Sequence, residues 1–255
     1  MTARLLAIAE DTIYRFYSMT KPITTVAAMM LFEEGRLRLD HELYRYIPEF
    51  ADVMVYDGGS AKDMKLKKPD RPIMVHDLMI HTSGLTYAFL FQNVIDAHYR
   101  AEGIDYAKFD GDLEAFCKKL ATAPLVFSPG QQWNYSNATD VLGRVVEVAS
   151  GMKLDEFFRR RIFEPLGMAD TDFHVPEDKL DRLMACYVRN PNTGEVWYIE
   201  NSHPDVPESG NRVWKRAADG KLLRKLEITD KDDYSYSLSC DPKTGEAIIN
   251  STMLK

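Results

Sequence analysis

Ser18-Met19-Thr20-Lys21 places a serine and a lysine three residues apart at the start of a helical pattern. On a helix this spacing brings both side chains to one face. A serine hydroxyl is a weak nucleophile at neutral pH, and a neighbouring amine held away from water can lower its own pKa and accept the hydroxyl proton. The S-x-x-K pattern therefore predicts an activated nucleophile, Ser18, beside its activator, Lys21.

The residues after Ser18 predict a helix over 18–34. Pro22 is tolerated in the first helical turn, and Gly35 is a typical helix stop. The helix dipole would then favour a developing alkoxide on Ser18. Apolar residues recur at helical spacing, namely Ile23, Val26, Ala27, Met30 and Leu31.

A second S-x-x-K pattern, Ser150-Gly151-Met152-Lys153, has a different context. Ser150 ends a strongly amphipathic pattern over 138–149, and Gly151 is a natural C-cap. The chain leaves the helix at this glycine, so Lys153 would not share a helical face with Ser150. We interpret this copy as a helix end.

Composition excludes several classes of function. The 255 residues carry a net charge of −7, which disfavours nucleic acid and anionic membranes as partners. The sequence contains neither an apolar run long enough to span a membrane nor an export-signal pattern, so we expect a cytoplasmic protein. Cys117, Cys186 and Cys240 fit reduced thiols. C-x-x-C, H-E-x-x-H, Gly-rich phosphate-loop and G-x-S-x-G patterns are missing from the sequence, so we expect no metal and no organic cofactor.

Up to about residue 168 the sequence is mostly helical in pattern, and beyond about residue 170 it is typical of β-structure. The segment 13–17 is interpreted as a strand end, and 53–72 as a polar, exposed excursion. Further helices are expected over 75–80, 90–100, 111–121, 138–149 and 154–163. Two turn sequences flanked by strand-like runs, at 190–194 and 241–245, each predict a β-hairpin.

Three more segments follow Ser18-Met19-Thr20-Lys21 in order. They are His81-Thr82-Ser83-Gly84-Leu85, Pro129-Gly130-Gln131-Gln132-Trp133-Asn134-Tyr135-Ser136-Asn137 and Ile162-Phe163-Glu164-Pro165-Leu166-Gly167-Met168. Over roughly residues 12–180 the set resembles the β-lactamase-related serine hydrolases, above all class C-like enzymes and family VIII carboxylesterases. The resemblance implies an α/β (α+β) fold of the β-lactamase and penicillin-binding-protein type, with a helical subdomain and an antiparallel sheet, as one domain over 1–255.

The resemblance also implies roles for single residues. Ser18 would be acylated, Lys21 would keep it activated, and Tyr135 would be the general base of a Y-x-N motif that occurs once among thirteen tyrosines. Asn137 would line the substrate site or brace the Lys21 region, and the Ser18 backbone N–H would form part of the oxyanion hole. The implied partner is a small carboxylic ester, and the reaction is its hydrolysis through an acyl-Ser18 intermediate.

The sequence departs from that family pattern in two ways, and both affect the expected sheet. Only seventeen residues precede Ser18, where members usually have two antiparallel strands, and no clear late strand carries the third motif. Lys243-Thr244-Gly245 matches K-T-G literally but follows Asp241-Pro242, which is typical of a hairpin tip. We therefore expect a truncated or divergent member with an incomplete sheet and a divergent, hairpin-rich tail over 181–255.

Several alternatives stay open at the level of sequence. An acyltransferase of the same family, or an inactive scaffold that binds a partner, would carry the same motifs. Trp133 could line a pocket or pack in the core, and His81 is interpreted as a structural turn residue. Asn137 is expected to cap the helix that follows it, in addition to any role in the site.

Overall fold

The computed structural model describes residues 9–106 and 109–184, together with the strands that follow. These residues form two compact units. The first is helical and comprises Tyr17–Ala169. The second combines residues before Tyr17 with residues from Asp170 onward and contains β-strands.

The helical unit contains six α-helices and one hairpin among its described residues. The helices are α1 (Thr20–Glu33), α2 (Val75–Met79), α3 (Val94–Ala101), α4 (Leu113–Leu120), α5 (Ala138–Ser150) and α6 (Leu154–Phe158). Short 3-10 turns cover Tyr17–Met19, Leu43–Arg45 and Pro48–Asp52, and α6 continues as a π-helical turn over Arg159–Phe163. None of the described helices has both the length and the apolar content that crossing a membrane requires.

Helices α1 and α5 pack together and form the centre of the core. Ala27 and Ala28 of α1 are fully buried, and such small side chains let neighbouring helices approach closely. The apolar face predicted for α5 is confirmed, because all four of its central members have no exposed surface: Val141, Leu142, Val145 and Val146. The predicted C-cap is also confirmed, since Gly151 adopts a left-handed φ of 71°.

The polar excursion predicted over 53–72 contains a β-hairpin instead of a loop. Its strands β1 (Val55–Ser60) and β2 (Asp63–Lys67) pair in antiparallel fashion, with an irregularity between Tyr56 and Gly59. Gly59 has a φ of 95°, and a Cβ added there would lie 2.1 Å from the Asp63 carbonyl oxygen. Because the hairpin is exposed on most of its surface, its sequence lacks the apolar alternation by which strands are predicted.

Other predicted boundaries shift by a few residues. The prediction of a strand end over 13–17 is wrong. In this segment only Ile13 makes an isolated β-bridge, with Leu183, and Tyr17–Met19 is a 3-10 turn. The predictions over 90–100 and 111–121 began early, since Asn93 and Asp112 are the N-caps of α3 and α4. The Asn93 side chain accepts two backbone N–H groups that the helix itself leaves unpaired, and the Asp112 side chain accepts one.

The β-rich unit contains two antiparallel sheets among its described strands. Strands β3 (Cys186–Arg189), β4 (Val196–Glu200), β5 (Arg212–Arg216) and β6 (Leu222–Glu227) pair in chain order, and β7 (Tyr236–Cys240) pairs with β8 (Ala247–Ser251). The pairs β3–β4 and β7–β8 flank the two predicted turn sequences. The turns themselves, and with them Lys243-Thr244-Gly245, lie outside the described residues.

Candidate active site

Ser18 lies in the short turn that leads into α1. The turn comprises Tyr17–Met19, and α1 begins at Thr20, two residues later than the sequence predicts. Tyr17, directly before Ser18, has a φ of 43°, which is unusual for a residue other than glycine. Such strained backbone costs on the order of 1–3 kcal/mol and is found preferentially at functional sites.

The structure brings Ser18, Lys21 and Tyr135 together. The Ser18 hydroxyl lies 2.6 Å from the Tyr135 hydroxyl, and the Lys21 Nζ donates to the Ser18 Oγ at 3.3 Å. The Lys21 Nζ also lies 4.7 Å from the centroid of the Tyr135 ring. Two segments separated by 117 residues therefore meet at one hydroxyl group, with a cation beside it.

Two tyrosines lie next to Lys21, and their pKa values shift in opposite directions. Burial alone would raise the pKa of Tyr135, but Lys21 and the Ser18 hydrogen bond together hold it below the ordinary value. Burial raises the pKa of Tyr87 far above the ordinary value, and the charge of Asp140 adds to this. Of these two neighbours, Tyr135 is the one suited to accept a proton.

His81 forms one wall of the site. Burial and the positive charge of Lys21 lower the pKa of His81, so its imidazole is neutral at pH 7. Its ring lies 5.2 Å from that of Tyr135, and its backbone carbonyl accepts from the Asn134 N–H at 2.9 Å. The structural role predicted for His81 therefore includes direct packing against Tyr135.

The loop that carries His81 is fixed by a buried carboxylate. Asp77 has no exposed surface and receives both Arg71 guanidinium nitrogens, at 2.6 and 2.8 Å. The same carboxylate accepts from the Thr82 hydroxyl at 2.8 Å. Gly84 follows with a φ of 85°, and a Cβ there would lie 2.3 Å from the Phe127 carbonyl oxygen. The His81-Thr82-Ser83-Gly84-Leu85 motif therefore forms a fixed loop that holds His81 in position beside the site.

Asn137 does not cap α5 with its side chain, contrary to the prediction. It occupies the N-cap position of α5, but its side chain accepts no helix N–H. The Ser136 hydroxyl accepts from the Ala138 N–H instead, at 3.3 Å. The Asn137 Nδ2 donates to the Thr86 carbonyl at 2.9 Å, while its buried Oδ1 has no hydrogen-bond partner among the described residues. The side chain therefore ties the Tyr135 loop to the His81 loop.

Trp133 does not pack in the core. It is 66% exposed, and its ring lies roughly parallel to that of Tyr135, with 6.4 Å between centroids and 19° between planes. His81 contacts Trp133 edge-on, at 6.0 Å. The Trp133 indole therefore continues the surface formed by His81 and Tyr135 toward solvent.

Two residues near Lys21 were missed by sequence reasoning, Tyr87 and Asp140. The Tyr87 ring lies 5.7 Å from the Lys21 Nζ and 5.2 Å from the Tyr135 ring. Burial raises the pKa of Asp140, in the first turn of α5, to about 6, although Lys21 acts to lower it. Neither residue belongs to a recognisable motif, so only the folded chain identifies them.

A serine hydroxyl held against a tyrosine hydroxyl, with a lysine beside both, is an arrangement that can serve covalent acyl-transfer chemistry. Residues 4–220 match the Beta-lactamase family, and the chain belongs to that family. Among the described residues, no cluster of three or more histidine, cysteine or acidic side chains could hold a metal ion.

Named relatives include esterases. The chain is 40% identical to Esterase EstB of Burkholderia gladioli over 166 residues, which are 64% of this chain and 39% of that protein. It is 39% identical to Lovastatin esterase of Penicillium rubens over 178 residues, 69% of this chain and 43% of that protein. A solved structure described as EstCE1, a hydrolase with promiscuous acyltransferase activity, superposes with a TM-score of 0.64 at 26% identity, over 96% of this chain and 51% of that one. The chain thus spans less than half the length of these two curated relatives.

Proposed function

We propose that the protein cleaves small carboxylic esters through an acyl-Ser18 intermediate. The observation that carries the proposal is the 2.6 Å contact between the Ser18 and Tyr135 hydroxyls, with Lys21 donating to Ser18 at 3.3 Å. A serine alone would not react at a useful rate, but a serine whose proton can pass to a neighbouring phenolate can. The esterase relatives support the same chemistry.

The reaction divides into two balanced halves. The Ser18 Oγ attacks the ester carbonyl carbon, and its proton passes to the Tyr135 phenolate. The bond to the alcohol oxygen then breaks, and that oxygen takes the proton from Tyr135 and leaves as an alcohol. Water next attacks the acyl carbon, gives a proton to Tyr135, and releases a carboxylic acid as Ser18 regains its proton.

Charge stabilisation is assigned to two groups. Lys21 stabilises the Tyr135 phenolate through its proximity, which agrees with the lowered pKa of that phenol. The Ser18 backbone N–H, in the 3-10 turn that precedes α1, is assigned to the oxyanion of the tetrahedral intermediate. Asn137 braces the loop that carries Tyr135.

A second candidate function differs in the final acceptor. In an acyltransferase an alcohol would replace water in the second half-reaction, with the same serine and base. The solved neighbour described as having promiscuous acyltransferase activity favours keeping this candidate. Product analysis with and without an added alcohol separates the two, because only transfer yields a new ester.

The direct test is labelling with a fluorophosphonate, followed by intact-protein mass spectrometry. The wild-type protein is expected to gain one adduct, and the Ser18→Ala variant none. The Ser150→Ala variant is the matched control, because it alters the second S-x-x-K copy at the end of α5 and should still be labelled. A folded wild-type protein that gains no adduct would contradict the proposal and indicate an inactive scaffold.

A further inference from the structure

A cluster of aromatic rings continues from Tyr135 to the surface of the helical unit. Tyr87 packs against Tyr135, with 5.2 Å between centroids, and is itself buried. Phe89 stacks on Tyr87 at 4.7 Å and 23°, and Tyr106 contacts Tyr87 edge-on at 5.8 Å. Phe89 and Tyr106 also meet edge-on, with 6.5 Å between their centroids. We call Phe89 and Tyr106 the aromatic pair.

The aromatic pair exposes a large part of its surface. Phe89 is 48% exposed and Tyr106 is 42% exposed, although both rings have neighbours that hold them in place. They come from two different loops, one after α2 and one between α3 and α4. A contiguous exposed aromatic surface beside a reactive group is typical of a binding site, because covering that surface with an apolar ligand removes it from water, which is favourable.

The charges near the pair restrict what it can bind. Burial, and then the negative charges of Asp140 and Asp105, raise the pKa of Tyr106, so the phenol is neutral at physiological pH. These carboxylates disfavour an anion close to the Tyr106 ring. Lys21, 5.7 Å from the Tyr87 ring, and Arg100, which donates to the Ala88 carbonyl next to Phe89, disfavour a cation beside the pair. Aromatic edges and faces instead favour another flat, uncharged ring.

We propose that the aromatic pair binds the alcohol part of the ester, and that this alcohol carries a flat, uncharged aromatic group. The inference rests on the proposed function. The alcohol oxygen must lie close to Tyr135 to receive its proton, and the ring cluster begins at Tyr135. The pair is therefore a specificity determinant, which favours arylalkyl esters over short alkyl esters.

The test compares three acetates of primary alcohols. They are 2-phenylethyl acetate, its 4-carboxylate derivative and n-butyl acetate, which share the acyl group. We expect kcat/KM for 2-phenylethyl acetate to exceed that for n-butyl acetate about 10-fold, as aromatic surface is buried. The carboxylate should abolish this preference.

Variants connect the preference to the pair. Phe89→Ala, Phe89→Leu and Tyr106→Ala should each reduce the ratio of the two kcat/KM values toward one, and thermal melts confirm that each variant is folded. Phe91→Ala is the matched control, because Phe91 is 69% exposed on the same loop but packs against Arg100, 3.9 Å from its ring. This control should keep the ratio.

The outcomes separate the two proposals. If fluorophosphonate labels Ser18 and n-butyl acetate is hydrolysed with no arylalkyl preference, the inference about the pair is overturned while the function stands. A fourth substrate, n-butyl phenylacetate, carries the aryl group on the acyl part. If n-butyl phenylacetate is preferred over n-butyl acetate and 2-phenylethyl acetate is not, the assignment to the alcohol is overturned. If neither labelling nor hydrolysis occurs, both proposals fail together.

Discussion

Replacing Tyr135 by phenylalanine removes a single oxygen atom and tests the proton-transfer role directly. The Tyr135 hydroxyl lies 2.6 Å from the Ser18 Oγ, and it is the group that the proposed mechanism uses twice. The ring stays in place, so its packing against Tyr87 and the proximity of Lys21 to the ring face are retained. The change therefore removes the base and leaves the surrounding contacts.

Positioned general acid–base groups contribute about 10²- to 10⁴-fold to rate. We expect the Tyr135→Phe variant to lose kcat by a factor in that range, which is about 3 to 5 kcal/mol in the activation barrier. Tyr135 is only half-buried, so the free energy of unfolding should change by less than about 1 kcal/mol. A catalytic effect several times larger than the stability effect distinguishes a base from a packing residue.

The assay is hydrolysis of a simple acetate ester across a pH series, in wild type and variant. Because the pKa of Tyr135 is held below that of an ordinary phenol, the wild-type kcat/KM should rise with pH through that lowered value. Tyr44→Phe, the same chemical change outside the site, should leave the profile unchanged. A Tyr135→Phe variant that keeps more than a tenth of wild-type kcat, and whose kcat/KM rises over the same pH range as the wild type, would refute the role of Tyr135 as the base.

Three further substitutions test other parts of the site and its support. Lys21→Met should shift the rising limb of kcat/KM to higher pH, since Lys21 lowers the pKa of Tyr135, and an unmoved limb in the pH profile would contradict this. Asp77→Asn should cost about 1–3 kcal/mol in urea unfolding, because it removes the charge of a buried carboxylate from the half-buried Arg71 and weakens its hydrogen bonds, whereas Asp40→Asn in an exposed pair should cost much less. The folded-state pKa of Asp140, about 6, lies above its unfolded value, so its ionisation destabilises the fold increasingly from about pH 4 to 6. Asp140→Asn should therefore stabilise the protein by about 2–3 kcal/mol at pH 8 and by much less at pH 4, and equal stabilisation at both pH values in urea unfolding would exclude this cause.

The sequence predicts those features that depend on local pattern. The helical period around Val141 locates α5, and complete burial of its central residues confirms the predicted apolar face. The period around Ala27 locates α1, but its predicted apolar face is wrong at Val26, which is 49% exposed, while Ala27 and Leu31 are fully buried. The S-x-x-K spacing predicts the proximity of Lys21 to Ser18, which the 3.3 Å contact confirms. In each case the decisive interactions lie within one or two helical turns.

Features that depend on tertiary contacts were beyond the sequence. The hairpin over β1 and β2 has polar residues on an exposed surface, so no apolar period marks it. Asparagine is a residue type typical of helix N-caps, but the Asn137 side chain donates instead to the Thr86 carbonyl, 51 residues away. Tyr87 reaches the site only because the loop after α2 is folded against Tyr135. A sequence pattern cannot contain such contacts.

The 2.6 Å contact between Ser18 and Tyr135 is a consequence of helix packing. Ser18 precedes α1 and Tyr135 precedes α5, so the distance between their hydroxyls depends on how closely these two helices lie. Helices α1 and α5 pack on each other, and Ala27 and Ala28 of α1 are fully buried, so we expect a larger side chain at either position to disturb the packing of α1. On the Tyr135 side, Asn137 and the Asp77-centred loop fix the remaining freedom through hydrogen bonds. The reactive geometry is therefore produced by the core of the helical unit, and substitutions in that core should alter acylation of Ser18 before they unfold the chain.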